Sequence, residues 1–125
     1  MTELTRALAA RFSEGAGLPL YLAGWVPPDA RPPYLTMDLE EAPPRQTGSL
    51  EIRVWMQPHG VRPLTDALDA VAALVPEGGL RLAWTGGLCL VRRARTGFLR
   101  LTEAPGRGGG TGGAVRFEIT CYAAA

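Results

Sequence analysis

The stretch GSLEIRVWMQ, Gly48 to Gln57, alternates without a break. Leu50, Ile52, Val54 and Met56 point one way, and Glu51, Arg53, Trp55 and Gln57 point the other, the period-2 pattern of a half-buried strand. The apolar side needs a cover, and the next segment supplies one. Val61 to Val75 places Leu64, Leu68, Val71 and Val75 at helical spacing, so an amphipathic helix can fold back onto the strand. The reverse side carries opposite charges and a large aromatic ring, a surface suited to meeting something other than water.

Working outward, Thr2 is placed to cap a first helix that runs to about Glu14, with Leu4, Ala7, Leu8 and Phe12 on one side and Gly15 as its stop. Leu18 to Val26 is apolar and partly strand-like. Pro27 to Pro33 is too proline-rich for regular structure and reads as an extended connector. Tyr34 to Glu40 alternates as a second strand, which pairs antiparallel with the opening stretch across a loop containing Pro43 and Pro44. Pro58-His59-Gly60 is a turn, and Pro76 to Gly79 ends the second helix. Leu80 to Thr85 then turns at Gly86-Gly87 into Leu88 to Arg95, and Thr96-Gly97 turns again into Phe98 to Glu103. Ala114 to Tyr122 is the last strand. The expected fold is α+β, a single mostly antiparallel sheet with two α-helices packed on one face, in one domain spanning residues 1–125.

Composition narrows the function. An apolar share of 46% and a charged share of 20% fit a globular domain and argue against disorder. Thirteen basic residues, all Arg, against twelve acidic ones leave a net charge of +1, which provides no global footprint for nucleic acid. Arg6 and Arg11 interrupt the first apolar run, so neither a secretion signal nor a membrane span is expected. Cys89 and Cys121 fall in strand-like segments without a His or Cys near them in sequence. They read as buried reduced thiols, with a disulfide between neighbouring strands as the second reading.

No motif assembles catalytic or cofactor chemistry. Gly106 to Gly113, GRGGGTGG, matches G-x-G-x-x-G by spacing, but a strand follows where a dinucleotide site needs a helix, and a P-loop needs a Lys that the chain lacks. It reads as a flexible loop. His59 has no orienting carboxylate in a recognisable pattern. Asp38, Glu40 and Glu41 form an acidic group that nothing completes into an oxygen cage for a metal. Arg92, Arg93 and Arg95 form a basic concentration, either a solvated hairpin tip or a contact for an anionic partner. Tyr34, Trp55 and Tyr122 fall on polar strand sides, where interface centres favour aromatics.

The order of elements resembles that of the tail-terminator, or tail-completion, proteins of long-tailed phages and gene transfer agents. The resemblance rests on the N-terminal helix, PPYLTMD (Pro32 to Asp38), LEIRVWMQ (Leu50 to Gln57) followed directly by a helix, and AVRFEITCY (Ala114 to Tyr122) after a glycine loop. It implies a virion structural protein rather than an enzyme, with no cofactor and no membrane partner. Its partners would be further copies in a ring, typically a hexamer, a tail-tube protein and a head connector or stopper, with DNA only as transiting cargo. The particle would be assembled in the bacterial cytoplasm. Tyr34, Glu51, Arg53, Trp55, Arg116, Glu118 and Tyr122 are then the candidate interface residues. Arg92, Arg93, Arg95, Arg107 and Gly110 are candidates for flexible or lumen-near loops. A head-completion or stopper protein of the same particle, and a small protein-binding regulatory module, stand as alternatives.

Overall fold

The computed structural model describes residues 2–56, 61–94, 99–101 and 111–123. Thr2 opens the first helix as expected: its hydroxyl accepts the Thr5 N–H at 3.1 Å, satisfying one of the amide donors that a helix start leaves open. Helix α1 (Glu3–Ala16) passes through Gly15 and stops two residues later than expected. Gly17 takes a φ of 68°, which lets its N–H turn back to the Ser13 carbonyl at 2.9 Å.

The remaining elements are β1 (Leu20–Leu22), β2 (Tyr34–Glu40), β3 (Thr47–Met56), α2 (Val61–Ala73), β4 (Leu80–Trp84), β5 (Gly87–Arg93), β6 (Leu99–Leu101) and β7 (Thr111–Ala123). Among the described residues, all seven strands join one sheet in the order β1-β2-β3-β7-β5-β4, with β6 paired to β7. Every pairing is antiparallel except that of β1 with β2. The α+β class and the single, mostly antiparallel sheet therefore stand. The last strand in sequence is central in space, flanked by β3 on one edge and by β5 and β6 on the other.

That arrangement corrects two boundaries and one direction. Trp84 pairs with Gly87, so the tight loop is Thr85-Gly86 and Gly87 already belongs to the strand. The strand expected from Ala114 begins at Thr111, because Gly112 and Gly113 pair with Trp55 and Val54. At Gly112 a side chain is excluded by packing, since a Cβ there would lie 2.5 Å from a ring carbon of Trp55. Finally, β5 and β6 both run antiparallel to β7 along the same edge. They therefore point in the same direction, as two pieces of one line, and β6 does not double back on β5. The proposed Thr96-Gly97 turn, the His59 turn and the glycine run through Gly110 lie outside the described residues.

Register shows how the two sides of the sheet are occupied, because paired residues project to the same side. Leu35 and Met37 of β2, Leu50, Ile52 and Val54 of β3, Cys89 and Val91 of β5, and Val115, Phe117 and Ile119 of β7 are all buried beneath the helices. Helix α1 contributes Leu4, Leu8 and Phe12 and lies against β1, β2 and β4; α2 contributes Leu64, Leu68 and Val71, with Val75 just past its end, and lies against β3 and β7. The Phe12 and Phe117 rings meet at 5.4 Å between centroids. Each fully buried Leu, Ile or Phe of this set contributes roughly 1.5–3 kcal/mol relative to exposure. Among the described residues, no helix is long and apolar enough to cross a membrane.

Candidate interaction face

Among the described residues, the side of the sheet away from the helices is open over its middle and covered at one end. The cover comes from the proline-rich segment, which is no mere connector. The Ala30 N–H bonds back to the Pro27 carbonyl at 3.0 Å, and the resulting bend brings Val26 and Ala30 over the start of β2. Beneath it lie Tyr34, 1% exposed, and Trp55, 4% exposed, which are directly paired across the β2–β3 ladder. The Tyr21 ring stands edge-on to Tyr34 at 5.5 Å. Trp55 Nε1 donates to Thr36 Oγ1 at 3.0 Å, so the indole is satisfied as well as packed. Two aromatic residues expected at an interface thus sit on the anticipated side but are enclosed by the chain's own loop.

The uncovered part is centred on Glu51. Its Oε1 accepts from Arg53 Nε at 2.5 Å and its Oε2 from Arg116 Nε at 3.0 Å. The Glu51 side chain is 15% exposed, against 41% for Arg53 and 46% for Arg116. Burial pushes the Glu51 carboxyl up, but the hydrogen bonds and charges of Arg53 and Arg116 outweigh it and hold the group below its ordinary value. Asp38, Glu40, Ser49, Glu51, Arg53 and Arg116 line a shallow concavity of about 370 Å³ here.

Charge is sorted across this face. Asp38 and Glu40 project from β2, opposite Glu51 and Ser49. Arg116 and Glu118 project from β7, Arg92 from β5 opposite Glu118, and Arg81 from β4 opposite Leu90. One flank is acidic and the other mainly basic. Below the basic flank, Leu88 and Tyr122 are paired and exposed at 40% and 42%.

The arginine concentration is split rather than gathered at a hairpin tip. Arg92 and Arg93 end β5 within the sheet and project to opposite sides. Arg93 reaches the helix side, where its Nε donates to the Val75 carbonyl at 2.9 Å, just beyond α2. That bond places the guanidinium just past the C-terminal end of α2, where a cation is favourable. Arg95, Arg107 and Gly110 lie outside the described residues. No group of three or more metal-ligating side chains occurs among the described residues.

Both cysteines are free thiols, as the first reading of the sequence has it, with Cys89 buried and Cys121 only half-buried. They are distant in the chain, yet Cys89 and Cys121 are direct cross-strand partners on the helix side of β5 and β7. Strand alternation alone could not reveal the register that joins them.

No protein-family model matches this chain, and no curated protein is similar to it. A solved structure is similar over 98% of this chain and 94% of its own, with a TM-score of 0.53 and 18% identity. At this identity the likeness speaks for the fold alone.

Proposed function

We propose that this chain is a structural subunit of the tail-terminator type, whose copies close into a ring at the head-proximal end of a phage-like tail tube. In that role it stops tube growth, offers a surface to the head connector and lets DNA pass. The observation that carries the proposal is the sheet's dissimilar sides: two helices seal one, and on the other a charged middle is left uncovered among the described residues. The charges on that face are acidic toward β2 and basic toward β5 and β4. Two flanks of opposite sign suit a head-to-tail contact, the acidic flank of one copy against the basic flank of the next, and such a contact closes into a ring when the rotation allows. Mixed charges of this kind set register and reject wrong docking more than they add affinity.

The test is to mix purified protein with tail tubes polymerising without a terminator. Rings capping tubes of arrested length are expected in negative stain; tubes that keep growing would refute the role. Within the same assay, Arg92→Gln should leave thermal unfolding nearly unchanged, because Arg92 is exposed and the neutral side chain sets no like charge against its cross-strand partner Glu118. It should weaken self-association by about tenfold or more, equivalent to ~1.4 kcal/mol. Undiminished assembly would remove this face from the contact.

A further inference from the structure

Cys89 and Cys121 face each other in the β5–β7 ladder, and the backbone around them defines what kind of pair they form. The Cys121 carbonyl accepts the Arg45 N–H at 2.9 Å, on the β3 side of β7. The Ala94 N–H donates to the Arg116 carbonyl on the other side of β7. Carbonyl direction alternates along a strand, so odd-numbered residues of this stretch turn their peptide groups away from β5. The Cys89–Cys121 pair is therefore a non-hydrogen-bonded one, the closer of the two kinds, with Cα atoms about 4.5 Å apart by general geometry. That separation falls inside the range a disulfide spans, and both side chains project to the same side.

Access is unequal. Cys89 is fully buried, whereas Cys121 is half-buried and lines a cavity of about 280 Å³ together with Thr2, Glu3, Glu41, Ala42 and Trp84. We infer that Cys89 and Cys121 are a cross-strand dithiol which small-molecule disulfides, entering by this cavity, convert to an intramolecular disulfide. Cys121 reacts first: its thiolate attacks one sulfur of the reagent, forming a mixed disulfide and releasing one thiolate. The Cys89 thiolate then attacks the Cys121 sulfur, closing the protein disulfide and releasing the second thiolate. The two protons lost by the cysteines end on the two released thiols, and the reagent is reduced by the two electrons the protein gives up.

Burial pushes Cys89 up to about 11, with the neighbouring Cys121 adding to the effect. Burial first, and then the Glu41 carboxylate, push Cys121 up as well. Little thiolate is present near neutrality, so the reaction is slow there and accelerates about tenfold per pH unit. Once formed, the bond ties the outer β4–β5 pair to the centre of the sheet.

Cystamine is the appropriate probe, because Glu3 and Glu41 flank the cavity and the reagent is cationic. After incubation of the folded chain, both thiols should disappear from a titration in denaturant. The mass of each chain should fall by two hydrogen atoms with no disulfide-linked dimer formed, and dithiothreitol should restore both thiols. In Cys121→Ser, a conservative change at a half-buried position, Cys89 should lose its reactivity by a factor of about ten or more, as an inaccessible thiol would. Two surviving thiols, an adduct that persists on Cys121, disulfide-linked dimers, or undiminished Cys89 reactivity in Cys121→Ser would each overturn the proposal.

Discussion

At the scale of single residues, Glu51 is where the open face can be tested most directly. Its carboxylate is largely buried, and it is held ionised by two guanidinium groups that remain partly in water. Because its folded pKa is depressed, the stabilisation it provides is present above the unfolded carboxylate value and is lost as pH falls through the folded one. Glu51→Gln should therefore cost about 1 kcal/mol at pH 7, the partial exposure of both Arg partners keeping the figure modest. The gap between mutant and wild type should close in acid, below the ordinary carboxylate value of 4.5. Urea unfolding at several pH values measures this, and a gap that persists unchanged in acid would mean that the two ion pairs do not stabilise the fold. Which carboxylate would be bracketed was not legible from the chain alone. Alternation placed Glu51 and Arg53 on one side, but Arg116 joins them only through the β3–β7 register.

At the scale of elements, β3 shows what periodicity can and cannot reveal. Its helix-facing residues were readable from the alternation, and Leu50, Ile52 and Val54 are all fully buried. The fate of Trp55 was not. A Trp on the polar side of a strand looks available to a partner unless one knows that the segment 26–33 bends over it, and prolines in sequence announce irregularity without saying where it lies. The C-terminal end of β3 is consequently buried on both sides, with Val54 under the helices and Trp55 under the loop and over Gly112. Trp55→Ala should thus behave as a core truncation, costing about 3–5 kcal/mol in chemical denaturation. A loss under about 1 kcal/mol would mean that the loop does not seal this end. The strand directions of β5 and β6 were equally hidden, because a Thr-Gly pair between apolar runs has the composition of a hairpin turn even where the strand resumes its course.

For the molecule as a whole, β7 determines whether there is one sheet or two. Without it, β1, β2 and β3 form one ladder and β4 and β5 another, with nothing between them. Removing residues 111–125 should therefore abolish cooperative unfolding rather than trim stability. Loss of the sigmoidal transition in near-ultraviolet circular dichroism is the expected result. A truncated chain that still melted cooperatively would show that the remaining strands close on each other. The class and the helix-covered side were legible because amphipathic spacing is local. Strand order was not, since it depends on pairing residues more than sixty positions apart, such as Glu51 with Arg116.

The position of β7 also bears on how the protein is made. During synthesis the two partial ladders leave the ribosome before the strand that knits them, each presenting an unpaired hydrogen-bonding rim. Neighbouring chains translated from one message present identical rims. A late-arriving strand can then be captured by the wrong copy, so exchange of this one segment between subunits is the misassembly to which the architecture is most open.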